Sequence, residues 1–237
     1  MAGQARAERT RKALLRTAAE AFDRIGYERA TLGEISRAAG VTKGALFFHF
    51  PSKAELAHAI QVSVCAQFRA TLEALAQRPG PAMQNVIDIT HILAGKLRDE
   101  AATRAAIRLA QECGPPAGRS ATDCFQLWLN SLEKLLHRAT ADRSFLPQPD
   151  NRAIAALLLS IVVGTQLFSR DLCPPTTPES PGATAGGSVA TADWLERTWA
   201  LILPQVVPAG QLARLRTRPP ATVRTGEPVK PPPVEPL

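Results

Sequence analysis

Two helix-start signatures near the beginning of the chain, Thr31-Leu-Gly-Glu34 and Ser52-Lys-Ala-Glu55, restrict what this region can fold into. In each, a hydroxyl side chain can accept a hydrogen bond from the backbone N–H three residues on, and the glutamate can reach back. Glycine and proline separate the elements between them. The pattern predicts two short helices and one long helix, at Leu32–Ala39, Lys43–Phe50 and Ser52–Gln77.

The rest of the chain also carries helical spacing of apolar residues, and strand and hairpin signals are missing. A first helix is expected over Arg9–Ile25, closed by Gly26 as a C-terminal cap. The fold class is therefore predicted to be all-α. The further predicted helices cover 82–99, 101–113, 119–141, 150–172 and 191–205.

Charge and composition divide the chain into parts. Residues 1–60 hold 10 Lys and Arg against 6 Asp and Glu, whereas residues 61–206 hold 13 of each. Residues 207–237 contain eight prolines and few large apolar side chains, which predicts a disordered basic tail. The resulting division is a basic N-terminal domain at 1–55, a helical domain at 56–206 with a mobile loop at 174–190, and the tail at 207–237.

Several function classes find no support in the sequence. The first residues are polar and Arg-rich, and the longest apolar run, within Ala153–Val163, is shorter than the roughly 20 residues that span a bilayer, so the location is predicted to be cytoplasmic. The cysteines Cys65, Cys113, Cys124 and Cys173 have no CxxC spacing and read as small hydrophobes, not as disulfides or zinc ligands. No metal or cofactor is expected, and His91 and His137 receive no role.

The first two short helices, joined at Gly40-Val41-Thr42, form a helix-turn-helix pattern. A recognition helix must bind its scaffold with one face and the DNA major groove with the other. Leu46 and Phe50 are spaced to face inward. The residues predicted to face DNA are Thr31, Thr42, Lys43, Gly44, Ala45, Phe47, Phe48, His49 and Lys53, supported by the basic residues Arg6, Arg9, Arg11, Lys12 and Arg16.

The stretch TRKALLRTAAEAFDRIGYERATLGEISRAAGVTKGALFFHFPSKAELAHAI resembles the N-terminal domain of TetR-family repressors over about Thr10–Ile60. The run GALFFHFPSKAELA and the later VVGTQLFSR are similar to the γ-butyrolactone receptor subgroup of that family. The family usually has tyrosine, with a phosphate contact through its hydroxyl, where this chain has Phe47, which is expected to weaken operator affinity by about 1 kcal/mol.

The resemblance implies a ligand-responsive repressor that binds a palindromic operator as a homodimer. Its effector would be a γ-butyrolactone, butenolide, furan or antibiotic-like molecule, and its targets would include antibiotic biosynthesis. By the same resemblance the effector site would contain Trp128 and Thr165, with Gln166 and Gln67 as weaker candidates. Candidate dimer residues are Leu157, Leu158, Ile161, Leu195, Trp199 and Ile202.

Two alternatives stay open. One is a DNA-binding protein that is insensitive to ligand, either a pseudo-receptor or an architectural protein. The other is an all-α enzyme, which the sequence does not favour, because it shows no HExxH motif, no Gly-rich phosphate loop and no paired carboxylates beside a histidine.

Overall fold

The computed structural model of the chain describes residues 2–113, 124–172 and 186–220. Every regular element among these residues is a helix, which confirms the all-α prediction. In chain order the helices are α1 (Ala2–Arg29), α2 (Leu32–Ala38), α3 (Lys43–His49), α4 (Lys53–Ala76), α5 (Ala82–Asp99), α6 (Ala101–Cys113), α7 (Cys124–Ala141), α8 (Asn151–Leu172), α9 (Gly186–Val206) and α10 (Ala209–Leu212).

Hydroxyl caps start the three helices that follow α1. The Thr31 side chain accepts from the Glu34 N–H at 3.2 Å and Glu34 accepts from the Thr31 N–H, so the predicted capping box is complete. Thr42 accepts from the Ala45 N–H and Ser52 from the Glu55 N–H, each at 3.1 Å. These bonds satisfy N–H groups that have no partner within a first helical turn.

Two compact units make up the chain, residues 1–78 with 99–132, and residues 79–98 with 133–237. The predicted domain boundary after residue 55 falls inside the first turn of α4. The helix continues past this boundary without a break. The first unit has a core in which α1 to α4 and α6 meet. Its buried side chains include Leu14, Phe22, Ile35, Leu46, Phe50, Leu56, Ile60, Ala105 and Leu109.

The second unit is organised around Trp199 of α9, which is 1% exposed. Its indole N–H donates to the Thr90 hydroxyl of α5 at 2.9 Å, and that hydroxyl donates to the Ile87 carbonyl at 2.7 Å. The buried indole ring of Trp199 therefore has its N–H group hydrogen-bonded. Other buried side chains of this unit are Val86, Leu93, Leu136, Phe145, Val162, Leu195 and Leu203.

Residues 207–220 contradict the predicted disordered tail. Val207 is 3% exposed, and the Arg216 N–H donates to the Gln84 side chain at 2.7 Å. The Arg216 guanidinium pairs with Asp88, which is 2% exposed, at 3.0 Å. The prediction of disorder was based on the low apolar content of this segment. The segment is held largely by specific polar partners on α5, which apolar content does not measure. Residues 221–237 lie outside the described residues.

The predicted loop at 174–190 also extends too far toward the C-terminus, because α9 begins at Gly186. Extending an existing helix by one residue costs little compared with starting one, so small residues can add to a helix that later apolar residues anchor. Residues 174–185 and the predicted helix start at 119–123 lie outside the described residues.

Candidate nucleic-acid interface and effector site

The turn between α2 and α3 depends on Gly40, whose φ of 68° is in the left-handed region that favours glycine. The Val41 N–H returns to the Ser36 carbonyl at 3.0 Å, and the Val41 side chain packs against the core of the first unit. A side chain at residue 40 would strain this conformation. The turn sets the direction in which α3 leaves α2.

Helix α3 has two chemically different faces. Leu46 is fully buried and Phe50 is 3% exposed, whereas Phe47 is 49% and Phe48 82% exposed. Thr42, Lys43 and Gly44 are exposed as well, while Ala45 and His49 are half-buried. An exposed phenylalanine beside a lysine on a seven-residue helix is costly in water and suited to a partner with apolar and anionic groups.

Lys43 lies across α2. A Cβ atom built on Gly33 would be 3.0 Å from the Lys43 Cε and 3.5 Å from its Nζ. The absence of a side chain at Gly33 therefore leaves room for the lysine stem. This contact places the Lys43 ammonium along the exposed side of the two helices.

Two residues predicted to contact DNA have structural partners within the chain. The Thr31 hydroxyl donates to the Glu34 carboxylate at 2.7 Å, and this bond holds the pKa of Glu34 below its usual value. The Lys53 ammonium donates to the carbonyls of Tyr27, Glu28 and Ala30 at 2.8, 3.3 and 3.2 Å. It also lies 4.3 Å from the Tyr27 ring centroid. Lys53 thus caps the end of α1, a long-range contact that the sequence pattern did not reveal.

The basic residues of α1 are all exposed. The Arg11 guanidinium lies 5.4 Å from the Phe50 ring centroid, which connects the start of α1 to the end of α3. Lys12 pairs with Glu8 at 3.9 Å and Arg16 with Glu20 at 2.9 Å. Exposed pairs of this kind stabilise a helix weakly, so they do not prevent these cations from meeting an anionic partner.

Helix α6 holds the last turns of α1 through a charged network that sequence reasoning missed. Arg104 pairs with Asp23 at 2.8 Å, and Arg108 donates to the Asp23 carbonyl at 2.9 Å. Glu112 accepts from Arg108 and from the Tyr27 N–H, each at 2.6 Å, which lowers the pKa of Glu112. The interruption at Gly26, with φ of 81°, leaves the space that Arg108 and Glu112 occupy.

Trp128 of α7 lies in an aromatic cluster of the first unit. It is 1% exposed, with its ring centroid 5.7 Å from that of Phe68 and 5.8 Å from that of Phe125. Within the described part of the chain its indole N–H has no hydrogen-bond partner. A buried N–H without a partner costs about 1–3 kcal/mol. This donor is therefore available to an acceptor that the described residues do not supply.

Of the other predicted effector residues, Gln67 lies with Trp128 in the first unit. Gln67 is exposed and donates to the Ser63 hydroxyl at 3.4 Å. Thr165 of the second unit donates to the Val162 carbonyl at 2.8 Å, and the Gln166 side chain lies outside the described residues. A better indicator of which α4 side chains face the core is their four-residue spacing, because Leu56, Ile60, Val64 and Phe68 are all buried. That spacing points Phe68 inward and Gln67 outward.

Exposed apolar side chains on α8 and α9 mark a surface of the second unit. Leu157 is 57%, Trp194 51% and Leu201 77% exposed. Three of the predicted dimer residues, Leu158, Leu195 and Trp199, are buried within the protomer instead. The apolar character of these two helices did not separate core positions from surface positions.

The described residues lack two other kinds of site. No helix there is long and apolar enough to cross a membrane. Among the same residues, no group of three or more His, Cys, Asp or Glu side chains is arranged to hold a metal ion.

Comparison with known proteins adds a family relationship. Residues 14–60 match the family model described as bacterial regulatory proteins, tetR family. The A-factor receptor protein of Streptomyces griseus is 33% identical over 221 residues, covering 91% of this chain and 70% of that protein.

Solved structures of related proteins are similar to this chain over most of its length. A crystal structure of a gamma-butyrolactone receptor, described as an ArpA-like protein, superposes with a TM-score of 0.71 at 29% identity, covering 88% of this chain and 93% of that one. The TetR family protein CprB from Streptomyces coelicolor, in complex with its biological operator sequence, superposes with a TM-score of 0.68 at 28% identity, covering 88% and 94%.

Proposed function

The chain belongs to the tetR family of bacterial regulatory proteins, and on that premise we propose that it is a dimeric repressor released from its operator by a small γ-butyrolactone-like effector. The observation that carries the effector part is the buried Trp128 indole N–H, which has no partner within the described residues. As a DNA-binding regulator it acts in the cytoplasm, and we assign it no catalytic step.

Helix α3 is the recognition helix. Gly44 and Ala45 are small enough to let its backbone approach base edges, and the exposed Phe48 ring suits the methyl group of a thymine. Lys43 reaches either a guanine edge or a phosphate, and the basic residues of α1 contact the adjacent backbone. The Phe47 ring lacks a hydroxyl and contributes apolar contact alone.

Lys53 acts differently from the sequence-based expectation. Because its ammonium already donates to three carbonyls at the end of α1, it orients α1 and α4 and does not have to meet a phosphate. We assign Thr31 a similar role, as the cap of α2.

Dimerisation uses the apolar surface of α8 and α9, centred on Leu157, Trp194 and Leu201. Two copies related by a two-fold axis present two recognition helices to a palindrome, whose half-sites lie about one DNA turn, roughly 34–36 Å, apart.

The effector binds beside Trp128, where Phe68 and Phe125 supply apolar contact and the indole N–H donates to a carbonyl or ring oxygen of the lactone. Thr165 and Gln166 remain candidates from the sequence. For release to occur, the effector must bind the DNA-free conformation more tightly than the DNA-bound one.

The contacts of α4 and α6 provide the coupling. Helix α4 begins at Lys53 and carries Phe68 about four turns later, and α6 holds Asp23 and Tyr27 of α1. An effector that displaces either helix therefore changes the support of the recognition unit. By linkage, operator DNA weakens effector binding by the same factor.

The test is a binding titration on DNA. A footprint on the protein's own upstream region identifies the operator, and anisotropy then compares it with a scrambled duplex at several salt concentrations. We expect the operator to bind about 10³-fold more tightly or better. Equal affinity for both duplexes at every salt concentration would refute operator recognition.

Lys43→Ala should weaken operator binding by about 1–3 kcal/mol. Lys134→Ala, which removes the same charge from an exposed position on α7, is the matched control and should have little effect. A panel of γ-butyrolactones, butenolides and furans then tests release. Operator binding that no compound reverses would favour the ligand-insensitive alternative.

A further inference from the structure

Two cysteine thiols meet inside the first unit. The sulfur atoms of Cys65 on α4 and Cys124 on α7 are 2.8 Å apart, and both residues are fully buried. They are separated by 59 positions in the sequence, without any motif spacing, so this juxtaposition is produced by the fold. The Cys124 sulfur is also 4.0 Å from the Gln61 carbonyl, one turn before Cys65.

The distance is close to that of a covalent link. A disulfide has an S–S bond of about 2.03–2.05 Å, so the sulfurs need to approach by about 0.8 Å. We propose that Cys65 and Cys124 form a redox-modification site, in which a small hydroperoxide converts the two thiols into a disulfide that joins α4 to α7.

The reaction balances with one hydroperoxide as the two-electron oxidant. One thiol attacks the peroxide oxygen and becomes a sulfenic acid, Cys–SOH, while the peroxide leaves as an alcohol, or as water if the oxidant is H₂O₂. The second thiol attacks the sulfenic sulfur, forms the S–S bond and releases one water molecule. A dithiol reductant reverses the link by thiol–disulfide exchange.

Contact between the two sulfurs determines which product forms. A sulfenic acid that is buried against a second thiol meets that thiol before it meets another peroxide, so disulfide formation outruns further oxidation. Cys113 offers a contrast within the same unit, because its thiol is exposed and is not a member of this pair.

The cysteine pair lies close to the aromatic cluster of Trp128, so a disulfide there should change the response to effector. This part of the inference rests on the proposed function. Cys65 precedes Phe68 by three residues and Cys124 precedes Trp128 by four, so both lie about one helical turn from the aromatic cluster. A disulfide restrains the two Cα atoms to about 4.4–6.8 Å. The oxidised protein should therefore keep α4 and α7 together and remain on the operator when effector is added.

Peptide mapping tests the link itself, independently of DNA or effector. Trypsin cleavage after Lys53, Arg69, Arg119 and Lys134 places the two thiols in the separate peptides 54–69 and 120–134. After hydrogen peroxide treatment of the folded protein, quenching and alkylation in denaturant, we expect a disulfide-linked pair of these peptides that disappears on reduction. The melting temperature should rise by about 5–15 °C on oxidation.

The control variant Cys113→Ser/Cys173→Ser keeps the pair and should form the same linked peptide. Cys65→Ala and, separately, Cys124→Ala should not form it and should show no oxidation-dependent rise in melting temperature. Two alkylated thiols after peroxide treatment, sulfinic acid without a link, or a link to Cys113 or Cys173 would each overturn the proposal.

The regulatory consequence has its own measurement, on the Cys113→Ser/Cys173→Ser protein. Reduced protein should leave the operator on addition of effector, and oxidised protein should require at least tenfold more. If the reduced protein also stays bound, the proposed effector response fails while the mapped link stands. If both forms leave at the same effector concentration, the disulfide has no regulatory role.

Discussion

Trp128 on α7 and Trp199 on α9 are each 1% exposed, yet their surroundings differ. The Trp199 N–H donates to the Thr90 hydroxyl, whereas that of Trp128 has no partner in the described residues, and the Trp128 ring lies beside Phe68 and Phe125. If stability alone decided their surroundings, both buried indole N–H groups should have hydrogen-bond partners.

The difference supports the effector-binding role that we propose for Trp128 and the structural role of Trp199. Trp199 anchors α9 to α5 within the second unit, and its polar end is part of that anchor. Trp128 leaves a donor unsatisfied, which a folded protein tolerates where the group serves a ligand. The following predictions test this contrast, beginning with the largest expected effect.

Deletion of residues 207–237 should lower the stability of the second unit by about 3 kcal/mol. It removes the burial of Val207, the Arg216 contacts with Gln84 and Asp88, and the Thr217 carbonyl that meets His91. Thermal unfolding should show a fall of about 6–12 °C. Deletion of 221–237 alone is the matched control, and a comparable fall there would contradict the docked segment as the cause.

Trp199→Phe should lower the free energy of unfolding by about 2 kcal/mol, because it removes a buried hydrogen bond and leaves a small cavity. Trp128→Phe removes a similar volume but no hydrogen bond to the described residues, so we expect a loss of about 1 kcal/mol or less. Urea unfolding of both variants measures the difference. Equal losses would remove the basis of the comparison.

Trp128→Phe should weaken effector binding about tenfold while operator affinity stays within twofold of wild type. The variant keeps an aromatic ring beside Phe68 and lacks the donor that we assign to the effector oxygen. One neutral hydrogen bond in a buried site is worth about 1.4 kcal/mol or somewhat less, which sets the magnitude. Trp199→Phe is the control and should respond to effector normally; a normal response from Trp128→Phe would argue against a donor role.

The smallest effect concerns His91, which follows Thr90 and lies 2.6 Å, Nε2 to oxygen, from the Thr217 carbonyl. Burial lowers the pKa of His91, although that hydrogen bond and the nearby Asp88 and Glu196 oppose the shift. The unfolded chain then binds a proton more readily than the native one, so stability should fall as the pH drops through about 6.5.

The expected loss between pH 7.5 and 5.5 is below about 1 kcal/mol. His91→Gln retains a side-chain donor for the Thr217 carbonyl and should flatten this part of the pH profile. The difference between wild type and variant is the quantity to compare, because it isolates the contribution of His91. A variant profile parallel to wild type would exclude His91 as the source.

Local signals predicted the recognition unit well. The caps at Thr31, Thr42 and Ser52, the turn at Gly40 and the inward positions of Leu46 and Phe50 all involve residues within a few positions of one another. Hydrogen bonds and apolar periodicity at that range are set by the chain's own neighbours.

Contacts between distant residues were not predictable in the same way. The Lys53 cap on α1, the Arg104–Asp23 pair and the meeting of Cys65 with Cys124 each join positions at least 23 residues apart. No spacing rule relates such positions before the helices have packed. The docked segment at 207–220 was missed because its composition suggested disorder, while Gln84 and Asp88 provide specific partners.

The contact between Lys43 and Gly33 has a consequence for the rate at which the protein leaves DNA. A lysine side chain that ranges freely in solution loses about 2 kcal/mol of rotamer entropy when it is immobilised. Because the Lys43 stem already lies against α2, part of that entropy is lost on folding and not on association. The operator contact that we propose for Lys43 therefore costs less entropy on association, which should lengthen the lifetime of the complex. A methyl group at residue 33 should shorten that lifetime before it alters the fold.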